Sequence, residues 1–354
     1  MNLMKNSVKL GMAALLVLGV SSCKNSDVDF PDYEGGITAY FAYQYPVRTI
    51  TLGTDPEQDN SLDNQHKCRI TATHGGSYDS RNLSIDIVVD PSLVDNLTFG
   101  DGRPVKVMPE SYYKLESTTL TKVKDFLFGS EVTLTDAFFA DPQALSANYV
   151  IPVRMVAARG ADAILSGTPL EGVTSPARCD ASAWSVQPKD FMLYCVKYIN
   201  PWHATYLRRG VDKITENGAT STNVRHAKYV EQDEVVSVTT AGLNKSIFPV
   251  KTVISDGDTK TTLTCNLELT FTDNACTITT STPGMTASGS GKFVEKGDKD
   301  SWDHRDQDVI YLDYQVNFGP RQYATLDTLV VQSRNVIMDC LLYTSPSPRD
   351  RSLS

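Results

Sequence analysis

The chain has 354 residues, 41% of them hydrophobic and 21% charged, with a formal net charge of −9. That apolar fraction excludes wholesale disorder, and the length suggests about two domains of ~150 residues each. The acidic balance argues against nucleic acid as a partner, and seven cysteines are too few for a disulfide-dense scaffold of this size.

Met1 to Ser22 has the layout of a secretory signal: Lys5 and Lys9, then an apolar run from Leu10 to Val20. The run is about half the ~20 residues of a spanning helix. Val20-Ser21-Ser22-Cys23 matches a bacterial lipobox, so Cys23 is expected to be acylated and to become the mature N-terminus. Several acyl chains hold a protein on a bilayer far better than one. No second apolar segment of membrane length follows, so the lipid would be the only membrane contact. Residues 23–35, which include the acidic Asp27-Val28-Asp29, read as a flexible tether.

From residue 36 onward the pattern is that of strands. Ile37 to Tyr43, Arg48 to Leu52, Cys68 to Thr73, Leu83 to Val89, Val132 to Thr135 and Tyr149 to Val156 alternate or are β-branched and aromatic. Gly75-Gly76, Gly100-Asp101-Gly102 and Gly129-Ser130 supply turns between them. Pro152 predicts an edge strand or a bulge. The breaker-rich stretch from Ser166 to Pro176 places a domain boundary there, giving an N-terminal domain of 36–176 and a C-terminal domain of 177–339. The second set of strands comprises Phe191 to Ile199, Glu234 to Thr239, Ile247 to Ile254, Thr261 to Thr272, Cys276 to Thr280, Val309 to Phe318 and Tyr323 to Val331. In the fourth of these, Leu263, Cys265, Leu267, Leu269 and Phe271 share a face, and Asp273-Asn274 reads as the hairpin turn that follows. The fold class is therefore all-β: a β-sandwich followed by a second sandwich or a β-barrel. The eleven codons of Cys340 to Asp350 can be read as a transposon-based sequencing adapter, so residues 340–354 are expected not to be native.

Several stretches together resemble one family. They are the lipobox cysteine, Tyr40 to Arg48, Asn60 to Asn64, Leu134 to Phe139 and Tyr149 to Arg154. In the second half they are Tyr198 to His203, Tyr206 to Gly210 and Asp327 to Val330. The chain resembles two-domain Bacteroidota surface lipoproteins of glycan-utilisation loci. These pair an N-terminal domain of unknown function of the DUF1735 type, also found in front of family 18 endoglycosidases, with a C-terminal domain of the DUF4361 type. The acidic tether is similar to the export tags of such proteins. The resemblance implies an immunoglobulin-like first domain, an outer-membrane location facing the cell exterior, and a glycan or glycoprotein partner beside a starch-utilisation-type importer. It transfers no catalytic residue.

The chemistry-bearing residues favour a non-catalytic glycan-binding role, with a structural or adhesion module that docks on the importer or host glycoprotein, and a glycoside hydrolase with an unrecognised site, as the alternatives. There is no G-x-S-x-G elbow, Walker A motif or dinucleotide fingerprint, and the acids of the tether run in the reverse of the family 18 spacing. The five histidines are scattered without metal-ligand spacing, so neither a metal nor a cofactor is expected. Asp298, Asp300, Asp303, Asp306 and Asp308 form an acidic loop, but Trp302 stands where an EF-hand needs its third ligand. The pairing of Cys68, Cys179, Cys195, Cys265 and Cys276 stays open. Sugars stack their C–H faces on aromatic rings, which makes tryptophan the lead. Trp302, with Asp303 and His304 beside it, is the candidate platform because its neighbours in the chain are polar; Trp202 either contacts ligand or packs a core or domain junction.

Overall fold

The computed structural model describes residues 32–336, except 56, 78–80, 123–124, 257–258 and 335, together with the backbone of 343–344. The signal segment, Cys23, most of the tether and most of residues 340–354 lie outside the described residues. The fold is all-β, in two domains.

The first domain is a two-sheet sandwich. One sheet runs in the order Ala163–Ile164, Thr38–Tyr40, Lys67–Gly75, Phe128–Leu134 and Tyr113–Leu115. The other runs Val47–Thr51, Phe191–Ile199, Tyr149–Arg159, Leu83–Val89 and Thr119–Lys122. Inward residues of both, among them Ile50, Ile70, Ile85, Val132, Ile151 and Val196, form one core. Burying such alternating faces against each other, at roughly 25 cal/mol per Å² of apolar surface, is what holds two sheets together.

Two expectations are corrected here. Phe191–Ile199 does not open the second domain. It sits inside the first sandwich, antiparallel to Tyr149–Arg159 and parallel to Val47–Thr51. Eight of its nine residues are buried, the mark of a strand covered on both faces. The breaker-rich stretch is an excursion that makes a small ribbon, Thr168–Pro169 against Trp184–Val186, before the chain returns. The passage between domains falls at Asn200-Pro201-Trp202 instead. Pro152, expected at an edge or a bulge, lies in a central strand opposite Leu193. It is tolerated because the ladder on its other side ends at Val153 and Val89, so the missing N–H falls just past the last pair.

The second domain is a closed eight-stranded barrel, which settles the alternative between sandwich and barrel. Ala204–Glu216 pairs with Arg321–Ser333 along almost its whole length and closes the cylinder. Its other edge changes partner part-way. Residues 204–208 pair with Glu234–Gly242, while residues 210–216 pair with the hairpin strand Ala219–Arg225. Asn217 and Gly218 form the hairpin turn, both with positive φ, as a two-residue turn of that hand requires. The predicted turn at Asp273-Asn274 is present, joining Thr272 to Ala275. Cys265, Leu267, Leu269 and Phe271 are buried on one face as their spacing indicates, with Leu263 only half-buried. All five described cysteines are free; Cys276 stands opposite Phe271 and not near the level of Cys265.

The domains are clasped by buried polar groups. The Nδ2 group of Asn200 donates to the carbonyls of Gly242 and Lys245, at 3.0 Å each. Arg334, just past the last barrel strand, donates to the carbonyls of Leu52, Thr54 and Asn200. Cations satisfied by several carbonyls hold segments in register without needing an acidic partner.

Candidate functional site

The barrel is filled at one end and hollow at the other. At the end next to the first domain, Trp202 stacks on Phe271 with ring centroids 3.7 Å apart, and Tyr206, Phe248, Leu267, Ile310 and Leu329 fill the remaining section. Farther along the strands the same inward phase carries polar residues. Arg208, Gly210 and Asp212 follow Tyr206 on one strand; Asp327, Thr325 and Tyr323 precede Leu329 on its neighbour.

Of these, Arg208, Asp212, Thr325 and Tyr323 line a cavity of about 290 Å³. The partner change along Ala204–Glu216 makes its entrance. Ala219–Arg225 pairs only with that strand, so among the described residues no ladder joins it to the upper half of Lys245–Asp256. Asn223 and Arg225 line one side of the gap, Val250 to Val253 the other. Ile214, Val316 and Phe318 give apolar wall, and Tyr314 and Tyr323 give aromatic wall carrying hydroxyls.

The floor is an ion network that leaves Arg225 Nη1 buried without a hydrogen-bond partner. Asp327, whose side chain is wholly buried, accepts from Arg208 at 2.9 Å, from Arg225 at 2.6 Å and from the Tyr314 hydroxyl at 2.7 Å. Arg225 also grips Asp212 with two bonds, of 2.7 and 3.0 Å, and Thr325 donates to the same carboxylate. Gly210 makes room for this. A Cβ there would lie 2.2 Å from the Leu326 carbonyl and 2.6 Å from Asp327 Oδ1, so no other residue leaves the carboxylate in place. Burial pushes the Asp212 carboxyl upward, but its bonds to Arg225 more than offset this and hold it below the usual range. Burial likewise drives the Tyr314 hydroxyl well above its ordinary value, so it stays a neutral donor. Nearer the mouth, Thr252 and Tyr323 share a hydrogen bond of 2.8 Å in which either hydroxyl can donate. Arg321 donates to the Val253 carbonyl and pairs with Glu216.

The residues expected to contact sugar lie elsewhere. Trp202 is 6% exposed and belongs to the barrel core, which removes it as a contact. Trp302 is half-buried: its indole N–H donates to the Val331 carbonyl at 2.9 Å, and the ring packs beside Leu207, Val309 and Val330 on the outer wall. The face is therefore not the free platform its polar neighbours in sequence suggested. Asp303 and His304 beside it are exposed, both with positive φ. Trp302 is anchored at the level of Val331, which pairs with Tyr206, whereas Tyr323 at the cavity pairs with Ile214. Eight residues of strand separate the two levels, roughly 26 Å at ~3.3 Å per residue. The surrounding acids serve the loop itself. Asp298 accepts from Ser301, Asp306 from Lys299 and the Asp300 N–H, and Asp308 from the Lys296 N–H.

A family model of a domain of unknown function, DUF5627, matches residues 201–335, and a model of an N-terminal domain matches residues 32–162. The start of the first match at residue 201 agrees with the domain passage seen in the fold. A solved structure from Bacteroides ovatus, a structural-genomics protein of unknown function, is 44% identical; the match covers 89% of this chain and 100% of that one, with a TM-score of 0.83. The chain belongs to the family of that protein. A proposed carbohydrate binding protein, also from Bacteroides ovatus, matches over 88% of this chain and 98% of its own at 12% identity, but its TM-score of 0.26 carries no argument. Nothing among the curated proteins matches. The DUF5627 model falls on the C-terminal barrel; neither matching model carries the DUF1735 or DUF4361 name to which the sequence resemblance pointed.

The cavity of the barrel carries no local motif in the sequence. The available signal was polar residues in the inward phase of alternating strands: Arg208 and Asp212 two steps apart around Gly210, and Tyr323, Thr325 and Asp327 ahead of the buried Leu329.

Proposed function

We propose that the protein is a non-catalytic surface lipoprotein that binds glycans for an outer-membrane importer of the starch-utilisation type, and that the sugar enters the hollow end of the barrel. The observation that carries this reading is the cavity itself. It is a concave site with apolar and aromatic walls and a few fixed polar groups converging on its floor, the make-up of a small-molecule pocket. Eight-stranded barrels are wide enough to hold one small ligand. The reading is non-catalytic because the floor carboxylates are committed. A glycosidase acid must keep its proton near neutrality, yet Asp212 is held below the usual carboxylate range and Asp327 is taken up by two guanidinium groups and a phenol.

Affinity electrophoresis against a panel of plant and host glycans tests this. At least one glycan is expected to retard the protein, and Tyr323→Phe is expected to weaken that retardation with unchanged melting. Retardation by none, or release of product from any, would overturn the reading. The lipid anchor rests on the lipobox sequence. Cys23→Ser is expected to move the protein from the membrane pellet to the soluble fraction, and a variant that still pellets would refute acylation at Cys23.

A second reading, a module that docks on the importer or on host glycoprotein, is favoured by one observation. Val224, Val211 and Leu326 are exposed and lie side by side across three strands on the outside of the barrel. Retention of glycan binding in Leu326→Lys would separate that surface from the cavity.

A further inference from the structure

Taking the barrel cavity as a sugar site, we infer that it holds one uncharged sugar residue at the end of a glycan chain and does not bind chain interiors or acidic sugars.

The first ground is that the site is blind. Below the Arg208–Asp327–Arg225 floor the barrel is packed solid by Phe248, Tyr206 and the Trp202–Phe271 stack. A chain cannot thread through it. What enters must enter by an end, through the gap between Ala219–Arg225 and Lys245–Asp256. At about 290 Å³ the cavity is also at the small limit of ligand pockets, which run from roughly 300 to 1,000 Å³, so it suits one ring and not a run of them.

The second ground is charge. The cations at the cavity are Arg208, Arg225, Arg321 and Lys251, and the anions beside them are Asp212, Asp327, Glu234 and Glu216. They balance, and the buried ones are paired with each other. Arg225 keeps one buried donor, Nη1, without a partner, but its charge is already matched by Asp212 and Asp327, so a ligand carboxylate or sulfate would bring an uncompensated negative charge into the site, whereas a sugar hydroxyl can accept from that donor. Desolvating such a charge without a partner is strongly unfavourable. A neutral polyol meets no such cost.

The third ground is the kind of polar group left over. The Thr252–Tyr323 hydroxyl pair can reverse its direction of donation, the carboxamide of Asn223 both donates and accepts, and Glu234 reaches Arg208 through Oε2, at 3.4 Å. A sugar hydroxyl also donates and accepts, so it can bridge groups of this mixed type. Ile214, Val316 and Phe318 then face the ring's C–H surface.

Isothermal titration calorimetry on the whole folded chain decides the matter, using the neutral sugars glucose, galactose, mannose, xylose, fucose and N-acetylglucosamine, their linear oligosaccharides, and glucuronate and galacturonate. For the sugar that binds, the free monosaccharide is expected to compete fully with its oligosaccharides. The stoichiometry should stay at one protein per chain end, and affinity should level off after the first residue or two. The matching uronate should bind too weakly to measure. Asn223→Ala, an exposed change at the rim, should weaken binding about five- to tenfold, the size expected for one hydrogen bond. Affinity that keeps rising with chain length, or binding that the monosaccharide cannot displace, would overturn the inference while leaving glycan binding intact. Preference for the uronate would do the same. Failure of every sugar and every panel glycan would remove both.

Discussion

Asp327→Ala is expected to destabilise the barrel by about 3–5 kcal/mol, the cost of removing one partner from a buried ion network. The reason is what remains. Arg208 and Arg225 have side chains only 11% and 19% exposed, and each loses its contact with the wholly buried Asp327 carboxylate. Arg225 keeps Asp212, but Arg208 is left with Glu234 at 3.4 Å and the Tyr314 hydroxyl. Two positive charges then share an enclosed site with less countercharge, and the Tyr314 hydroxyl loses its acceptor as well. Exposed pairs behave differently. Lys299–Asp306 has side chains 70% and 41% exposed, and solvent screening leaves such a pair little net stabilisation. Urea unfolding of Asp327→Ala beside Asp306→Ala makes the comparison directly. The double variant Asp327→Ala with Arg208→Met should recover part of the loss, since it also removes the cation left without a close carboxylate while Arg225 keeps Asp212. A cost for Asp327→Ala no larger than that of Asp306→Ala would mean that the network is more hydrated than its burial indicates.

The same network shows where reading the chain stops. Strands were legible because alternation is a local property: Leu267, Leu269 and Phe271 declare their shared face within a few residues. The cavity is not local. Arg208, Arg225, Tyr314 and Asp327 come from four strands spread over more than a hundred positions, and only closure of the barrel makes their inward phase a common one. Trp302 failed for a related reason. Its neighbours in the chain are polar, but its burial is decided by Leu207, Val309 and Val330, which reach it across strands. The domain boundary was misplaced because glycine and proline mark loops, and the loop between residues 165 and 190 leaves the sandwich and returns to it. The better signal was in Phe191–Ile199 itself, too uniformly apolar to begin a barrel with one hydrated face.

Stability is expected to fall by about 2–3 kcal/mol as pH drops from 6.5 to 4 because of His203 alone. His203 stands at the domain junction, where its Nδ1 accepts the Thr240 N–H at 3.0 Å and lies 3.1 Å from the Thr240 hydroxyl. A nitrogen that accepts must be unprotonated, so this contact selects the neutral ring. Burial, aided by the nearby charges of Arg334 and Lys197, pushes its pKa down from 6.5 to about 4. The sign follows from proton counting. Between those two values the unfolded chain carries a proton on this ring and the folded chain does not. Lowering the pH therefore favours unfolding across that window, and the stabilisation is complete only above 6.5. The full shift would exceed 3 kcal/mol at ~1.4 kcal/mol per unit; partial exposure of the ring reduces it. His74, also held below its ordinary value by burial and by Lys122, acts in the same direction, and carboxylates titrate near the lower limit. The informative quantity is thus a difference. His203→Asn can accept the same N–H without titrating, and its stability measured by urea unfolding from pH 4 to 7 should fall less steeply than that of the natural chain. Parallel curves for the two proteins would show that the junction opens to water before His203 is protonated, and that the Asn200 and Arg334 contacts do not shield it.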